Sequence, residues 1–161
     1  MTPISSVPLV IGIGNTLRSD DGVGIWVARW LRGQVPDGVS VVEATGESGA
    51  LLEAWKGAAA VILVDAVRSG SPPGTIHRLD AAAQPIRSIF LRSSSHDFGV
   101  GEAIELARAL NQLPPRLIIY GIEGGNFGPG AELSAVVVQS AAEVANELLS
   151  QARGCTAKRP T

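Results

Sequence analysis

The side chains that could do chemistry in this 161-residue chain are few and widely spaced. Asp20 and Asp21 sit together in a glycine-rich stretch. Asp65 directly follows Val61-Ile62-Leu63-Val64. His96 and Asp97 close the polar run Ser93-Ser94-Ser95, and Glu123 follows Tyr120-Gly121-Ile122. Two carboxylates and one imidazole make an O/O/N donor set, which suits a divalent transition metal. Three protein ligands also leave coordination positions open for water or substrate. Each residue has a plainer role open to it. Asp20 or Asp21 can cap a helix, and Asp65 can close a turn on its own backbone. His96 can be a solvated loop histidine, His77 a structural or exposed residue on an edge strand, and Glu123 the end of a strand. Cys155, the single cysteine, excludes an intramolecular disulfide and an all-cysteine metal site.

Familiar alternatives fail on the residues themselves. Gly12-Ile13-Gly14-Asn15-Thr16-Leu17 lacks the third glycine of a dinucleotide loop, and no phosphate-loop lysine follows it. No Gly-x-Ser-x-Gly elbow is present, which argues against a serine hydrolase.

The elements that must position these residues follow from hydrophobic patterning. Residues 7–13 and 59–64 are short apolar runs, as expected of strands buried in a parallel sheet, the second ending at Asp65. Residues 39–43 and 117–122 read as further strands, and 75–79, after the turn Ser71-Pro72-Pro73-Gly74, as an edge strand. Helical spacing marks 22–31, with Asp20 or Asp21 placed to cap it. It also marks 48–55, a segment ending near Asn111 with Ile104, Ala107 and Leu110 facing inward, and 133–149 with Val137, Ala141, Val144 and Leu148. Strands alternating with helices predict an α/β three-layer sandwich, a mostly parallel, twisted sheet of about five strands flanked by helices. A single domain is expected over residues 1–150, followed by a disordered basic tail over 151–161. In such a sheet ligands bind outside the carboxyl ends of the strands, where Asn15, Arg18, Asp20, Asp21, Asp65 and Glu123 are expected, joined by His96 and Asp97 from the loop before the helix that ends near Asn111.

Composition removes several function classes. The net charge is −2, with no Lys/Arg stripe, which leaves no electrostatic footprint for nucleic acid. Aromatic residues are 4%, too few for a base-stacking platform. The uncharged stretch up to Leu17 holds prolines, serines, glycines and an asparagine, unlike a membrane span, and it lacks a signal-peptide leader. A soluble, cytoplasmic, monomeric domain without membrane contact is expected.

The run Gly12-Ile13-Gly14-Asn15-Thr16-Leu17-Arg18-Ser19-Asp20-Asp21-Gly22-Val23-Gly24 resembles the opening signature of the [NiFe]-hydrogenase maturation endopeptidases. Val64-Asp65-Ala66-Val67 and Ser95-His96-Asp97-Phe98-Gly99 resemble that family's second and third motifs. Tyr120-Gly121-Ile122-Glu123 and Leu133-Ser134 resemble its closing segments, so the resemblance spans nearly the whole chain in order. It implies a hydrolase of the endopeptidase type, sometimes grouped with aspartic-type peptidases. Such an enzyme removes a C-terminal extension from the hydrogenase large-subunit precursor after nickel insertion. It also implies that Asp21, Asp65 and His96 are the metal-contacting and catalytic set, with nickel carried by the substrate and no tightly bound permanent cofactor. The first ligand is Glu in some relatives and Asp here. Gly124-Gly125 stands where many relatives have proline, which predicts a looser loop after Glu123. Two other readings remain at this point: a checkpoint or metallochaperone module that senses nickel on the same client without cutting it, and a small-molecule hydrolase with a closed pocket. In the protease reading Trp26 and the loop 124–130 line an open groove, and Arg18 meets an acidic or carboxylate end of the client.

Overall fold

The computed structural model describes residues 7–84 and 100–157. Five strands form one sheet in the order β2-β1-β3-β5-β4. They are β1 (Leu9–Ile13), β2 (Ser40–Ala44), β3 (Ala60–Val67), β4 (Ile76–Asp80) and β5 (Arg116–Glu123). Only β4, at one edge, runs antiparallel, against β5. The helices are α1 (Val23–Leu31), α2 (Ser48–Trp55), α3 (Val100–Ala109) and α4 (Ala135–Ala157), and a short 3-10 turn, Ser19–Gly22, leads into α1.

The near-continuous apolar runs of β3 and β5 are explained by burial on both faces. On one face Val10, Ile62, Val64, Ile118 and Tyr120 pack against Val23, Val27 and Leu31 of α1 and Val137, Ala141, Val144 and Leu148 of α4. On the other, Ile11, Ile13, Val61, Leu63, Leu117 and Ile119 pack against Leu51 and Trp55 of α2 and Ala103, Ile104 and Ala107 of α3. This is the expected three-layer α/β sandwich.

The chain leaves β1 toward β2 on one side and returns to β3 on the other. The β1–β3 pair is therefore the point where the winding reverses, and a crevice opens there at the carboxyl end of the strands. Two glycines bring the surrounding elements close. A Cβ on Gly24 would lie 2.2 Å from the Val64 carbonyl oxygen and 2.3 Å from that of Ile13, so α1 can seat on β1 and β3 only with hydrogen at this position. A Cβ on Gly14 would lie 2.0 Å from the Asp21 carbonyl oxygen, which instead accepts the Asn15 N–H at 3.2 Å.

Several boundaries differ from the sequence reading for physical reasons. The third strand does not stop at Asp65. It runs on to Val67 because β5 pairs with it through Val67↔Glu123. Leu110 does not face inward: it is 53% exposed, just past the end of α3. The last helix extends to Ala157, beyond the point where a frayed tail is expected, with Ala152 buried on its inner face. Residues 158–161 lie outside the described residues.

Candidate active site

The first-motif loop is held by its backbone. Ser19 N–H donates to Gly130 O at 2.8 Å, Gly130 N–H to Leu17 O at 3.0 Å, and Asp20 N–H to Asn126 O at 2.9 Å. Ser19 adopts φ 47°, a left-handed conformation that costs a non-glycine residue on the order of 1 kcal/mol and persists only where neighbours impose it. Here the paired loop 124–130 imposes it. The consequence is that Asp20 and Asp21 point to different surroundings.

Asp20 is fully buried and structural. Its Oδ2 accepts Gly125 N–H at 2.8 Å, Asn126 N–H at 2.9 Å and the Ser134 hydroxyl at 2.8 Å, and its Oδ1 accepts Ser134 N–H at 2.7 Å. Burial alone would raise its pKa. The N–H groups of Ser134, Gly125 and Asn126 and the Ser134 hydroxyl outweigh that and hold it below the ordinary carboxylate range. Ser134 in turn starts α4, its carbonyl accepting Val137 and Val138 N–H at 3.0 Å. Neither acid caps α1, as the sequence reading expects of one of them: the residue preceding that helix is Gly22, with no side-chain cap. Asp20 instead clasps the start of the distant α4, a role the sequence reading missed. Its only signal in sequence is Ser134 standing immediately before an apolar helical run.

Asp21 is 6% exposed and lies at the carboxyl end of β1. Asp65 lies near the end of β3 on the α2/α3 face, its Oδ1 accepting Ala66 N–H at 2.8 Å. Burial, and then the negative charge of Asp21, push the Asp65 carboxyl well above the ordinary range. Two carboxylates from the winding reversal are thus within electrostatic reach of one another. His96 and Asp97 lie outside the described residues. The described chain resumes at Val100, the start of α3. The other end of that helix sits at the amino edge of the sheet, where Arg108 Nη2 donates to Ala81 O at 2.8 Å. Its start is therefore at the carboxyl edge, four residues beyond His96. Among the described residues no three His, Cys, Asp or Glu side chains gather as a metal centre.

Glu123 does more than end a strand. It is 1% exposed, its two oxygens accept Ser69 N–H at 3.1 and 2.8 Å, and Oε1 also accepts the Ser69 hydroxyl. His77 Nε2 stands 3.5 Å from Oε1, which makes His77 a half-buried structural residue on the edge strand. The loop after Glu123 is not loosened by its glycines. Gly124 N–H donates to Val67 O at 3.0 Å and Gly125 N–H to Asp20, while the Phe127 ring sits where a Gly124 side chain would be, 2.5 Å from its Cβ.

Beside the 3-10 turn the surface is concave. Leu17, 72% exposed, stands between a depression of about 430 Å³ bordered by Gly14, Asn15, Ile25, Glu43 and Thr45 and one of about 580 Å³ bordered by Ser19, Gly22, Trp26, Trp30 and Leu133. Trp26 borders the second depression and also packs against the core, while no residue of the loop 124–130 borders either one. Arg18 directs its Nε to Phe127 O at 3.3 Å.

Comparison with known proteins bears on the family and the fold. The family model described as "HycI: Hydrogenase maturation protease" matches residues 27–151, a span that includes Asp65 and His96 and begins after Asp21. The hydrogenase expression/formation protein HupD of Thiocapsa roseopersicina is 29% identical over 152 residues, 89% of this chain and 67% of the relative. HupM of Azotobacter chroococcum is 30% identical over 76% of this chain and 60% of its own length, so the chain spans about three-fifths to two-thirds of these relatives. The hydrogenase 2 maturation protease of Escherichia coli is 26% identical over 80% of both chains. Among solved structures, an endopeptidase from Escherichia coli superposes with a TM-score of 0.79 at 24% identity over 92% of this chain and 93% of its own, which concerns the fold alone. The [NiFe] hydrogenase maturation protease HybD from Thermococcus kodakarensis superposes at 0.68 with 27% identity over 89% of this chain and 99% of its own. With the matched span exceeding half its length, the chain belongs to the hydrogenase maturation protease family.

Proposed function

We propose that this chain is an endopeptidase that removes the C-terminal extension of a [NiFe]-hydrogenase large-subunit precursor once nickel is in place, and that it reads the client-bound nickel through Asp21, Asp65 and His96. The observation that carries the reading is the placement of Asp21 and Asp65 at one winding reversal, close enough that the charge of the first raises the proton affinity of the second. A buried, like-charged acid pair is unfavourable by itself and becomes favourable when a cation sits between the oxygens. Nickel on the client is such a cation. Its capture holds the adjoining polypeptide against the rim, and fixed position supplies much of the rate of peptide hydrolysis. The surface depressions flanking Leu17 suit an extended segment of a large client better than an enclosed small molecule. The carboxylate that is not ligating at the moment of attack serves as general base, taking a proton from water as the water oxygen adds to the scissile carbonyl, and returns that proton to the amine nitrogen as the C–N bond breaks. The same pair sharing one proton is the arrangement of aspartic-type peptidases.

The test is the intact mass of a nickel-loaded large-subunit precursor after incubation with the chain. Loss of a C-terminal fragment is expected, with none from nickel-free precursor and none with Asp21→Asn or His96→Ala. Full-rate cleavage by either variant removes the reading. Binding of the loaded precursor with no mass change replaces it with a nickel-sensing checkpoint.

A further inference from the structure

Two arginines converge on Phe127. Arg68, exposed and three residues beyond Asp65, lays its guanidinium carbon 4.2 Å from the centroid of the Phe127 ring. Arg18, half-buried and three residues before Asp21, anchors Nε on the Phe127 carbonyl oxygen. Phe127 is itself 8% exposed and packed in the core, so it is a fixed platform for both. Among the described residues the ion pairs engage Arg29, Arg32, Arg108 and His77, and neither Arg18 nor Arg68 has a carboxylate partner. Nor are they counter-ions of Asp65: the influences on its carboxyl are burial, Asp21 and the Ala66 N–H, with no arginine among them.

We infer that Arg18 and Arg68 form a carboxylate-binding subsite that takes an acidic group of the client's C-terminal extension. The inference rests on the proposed protease reading for the identity of the client. Anchoring through Nε leaves the Nη groups of Arg18 as further donors. A guanidinium held over a ring face by its carbon keeps N–H donors for a second partner. A planar fork matches a carboxylate bidentately, and side chains already ordered lose little freedom on binding. The rim then reads two features of one client, a cation at Asp21 and Asp65 and an anion at Arg18 and Arg68. Two sources supply the anion, the terminal carboxylate of the extension or an acidic side chain within it.

The experiment measures the dissociation constant of nickel-loaded precursor for the wild-type chain, for Arg18→Ala/Arg68→Ala and for Arg18→Lys/Arg68→Lys, together with cleavage and melting temperature. The double alanine variant is expected to bind about tenfold or more weakly, with KM rising more than kcat falls and little change in melting temperature. The double lysine variant is expected to recover part of the binding. The wild-type advantage should vanish with precursor whose extension has its acids changed to amides if side chains are the source. It should vanish with precursor extended by Gly-Gly-Ser if the terminal carboxylate is. Equal binding by wild type and double alanine, or an advantage kept against both altered precursors, overturns the inference. Weakened binding in a chain that never cleaves would retain the subsite and discard the protease, whereas normal cleavage with unaltered binding would do the reverse.

Discussion

Asp65 holds its proton more tightly than an ordinary carboxyl because it is buried and because Asp21 stands near it as a like charge. A carboxyl whose folded-state pKa is raised binds more protons folded than unfolded across the interval between the two values. Stability therefore falls as pH rises from about 4 through the elevated folded-state pKa, and the loss persists above it. Asp65→Asn removes the ionisation while keeping the size of the side chain. It is expected to melt higher than wild type at pH 7 to 8, with the gain shrinking as pH approaches 4, and to lose cleavage. Melting curves of both proteins across that pH range decide it. Parallel curves would mean that Asp65 titrates normally.

In the proposed function the same pair would govern how the chain meets nickel. A cation that ligates Asp65 must displace its proton, so apparent affinity rises with pH by about tenfold per unit while one proton is released. In the proposed reading, two carboxylates and His96, with the rest of the coordination shell belonging to the client, would make a weak resident site. Purified chain is expected to carry well under one nickel and to lose it to a chelator. Stoichiometric nickel that survives chelation, measured by elemental analysis, would identify an ordinary metallohydrolase instead.

Asp20 is expected to matter as much for stability as Asp21 does for activity. Asp20→Asn turns an amide NH2 toward donors that now face a carboxylate, since Ser134 N–H, Gly125 N–H and Asn126 N–H all point at it. Leaving buried donors without an acceptor costs about 1–3 kcal/mol, and a lowering of melting temperature of several degrees is expected. Because the Asp20 pKa is depressed, its stabilisation is present above about pH 4 and lost as pH falls through its folded-state value. The variant should therefore be less sensitive to acid below pH 4 than wild type. Unchanged melting at neutral pH would show that the clasp contributes nothing.

The layers, the strand types and the sheet edge carrying Asp21 and Asp65 are legible in sequence because each depends on local patterning. Val61-Ile62-Leu63-Val64 can only be buried on both sides, and Ile76–Asp80, which follows the Pro-Pro-Gly turn, mixes apolar with charged residues and is half-buried throughout, as at a sheet edge. What is not legible depends on contacts between distant segments. Nothing near Asp65 says that its strand continues, because the reason is the pairing of Val67 with Glu123. Nothing near Asp20 says that its partners are Gly125, Asn126 and Ser134, more than a hundred residues away. Local capping preference points to the adjacent helix and loses to a better set of donors. The Arg68–Phe127 contact has no sequence signal at all. The tail is misjudged for a related reason: residues up to Ala157 continue a helix whose inner face still reaches the core at Ala152.

Gly24 is the point where the geometry of the site is most exposed to a single methyl group. Its hydrogen faces the Val64 and Ile13 carbonyl oxygens and the Ile13 nitrogen, and an added Cβ would stand 2.2, 2.3 and 2.6 Å from them. These are backbone atoms of two paired strands, which cannot rotate away as a side chain could. Gly24→Ala must therefore lift α1 off β1 and β3, drawing with it the 3-10 turn that carries Asp21. Overpacking of a close-packed contact costs typically 1–3 kcal/mol and occasionally more, and the backbone nature of all three clashes places this variant at the upper end, about 3 kcal/mol. For a chain of this length that corresponds to a fall in melting temperature of roughly 6–12 °C. Because the displaced turn also sets the spacing of Asp21 from Asp65, cleavage below the new melting transition should fall as well. A Gly33→Ala control, with open space around its Cβ, meets no such clash. Its φ of +88° makes alanine strained there, so the control should lose some stability but retain activity. Activity lost equally in both variants would show that global stability, rather than the seating of α1, controls the site.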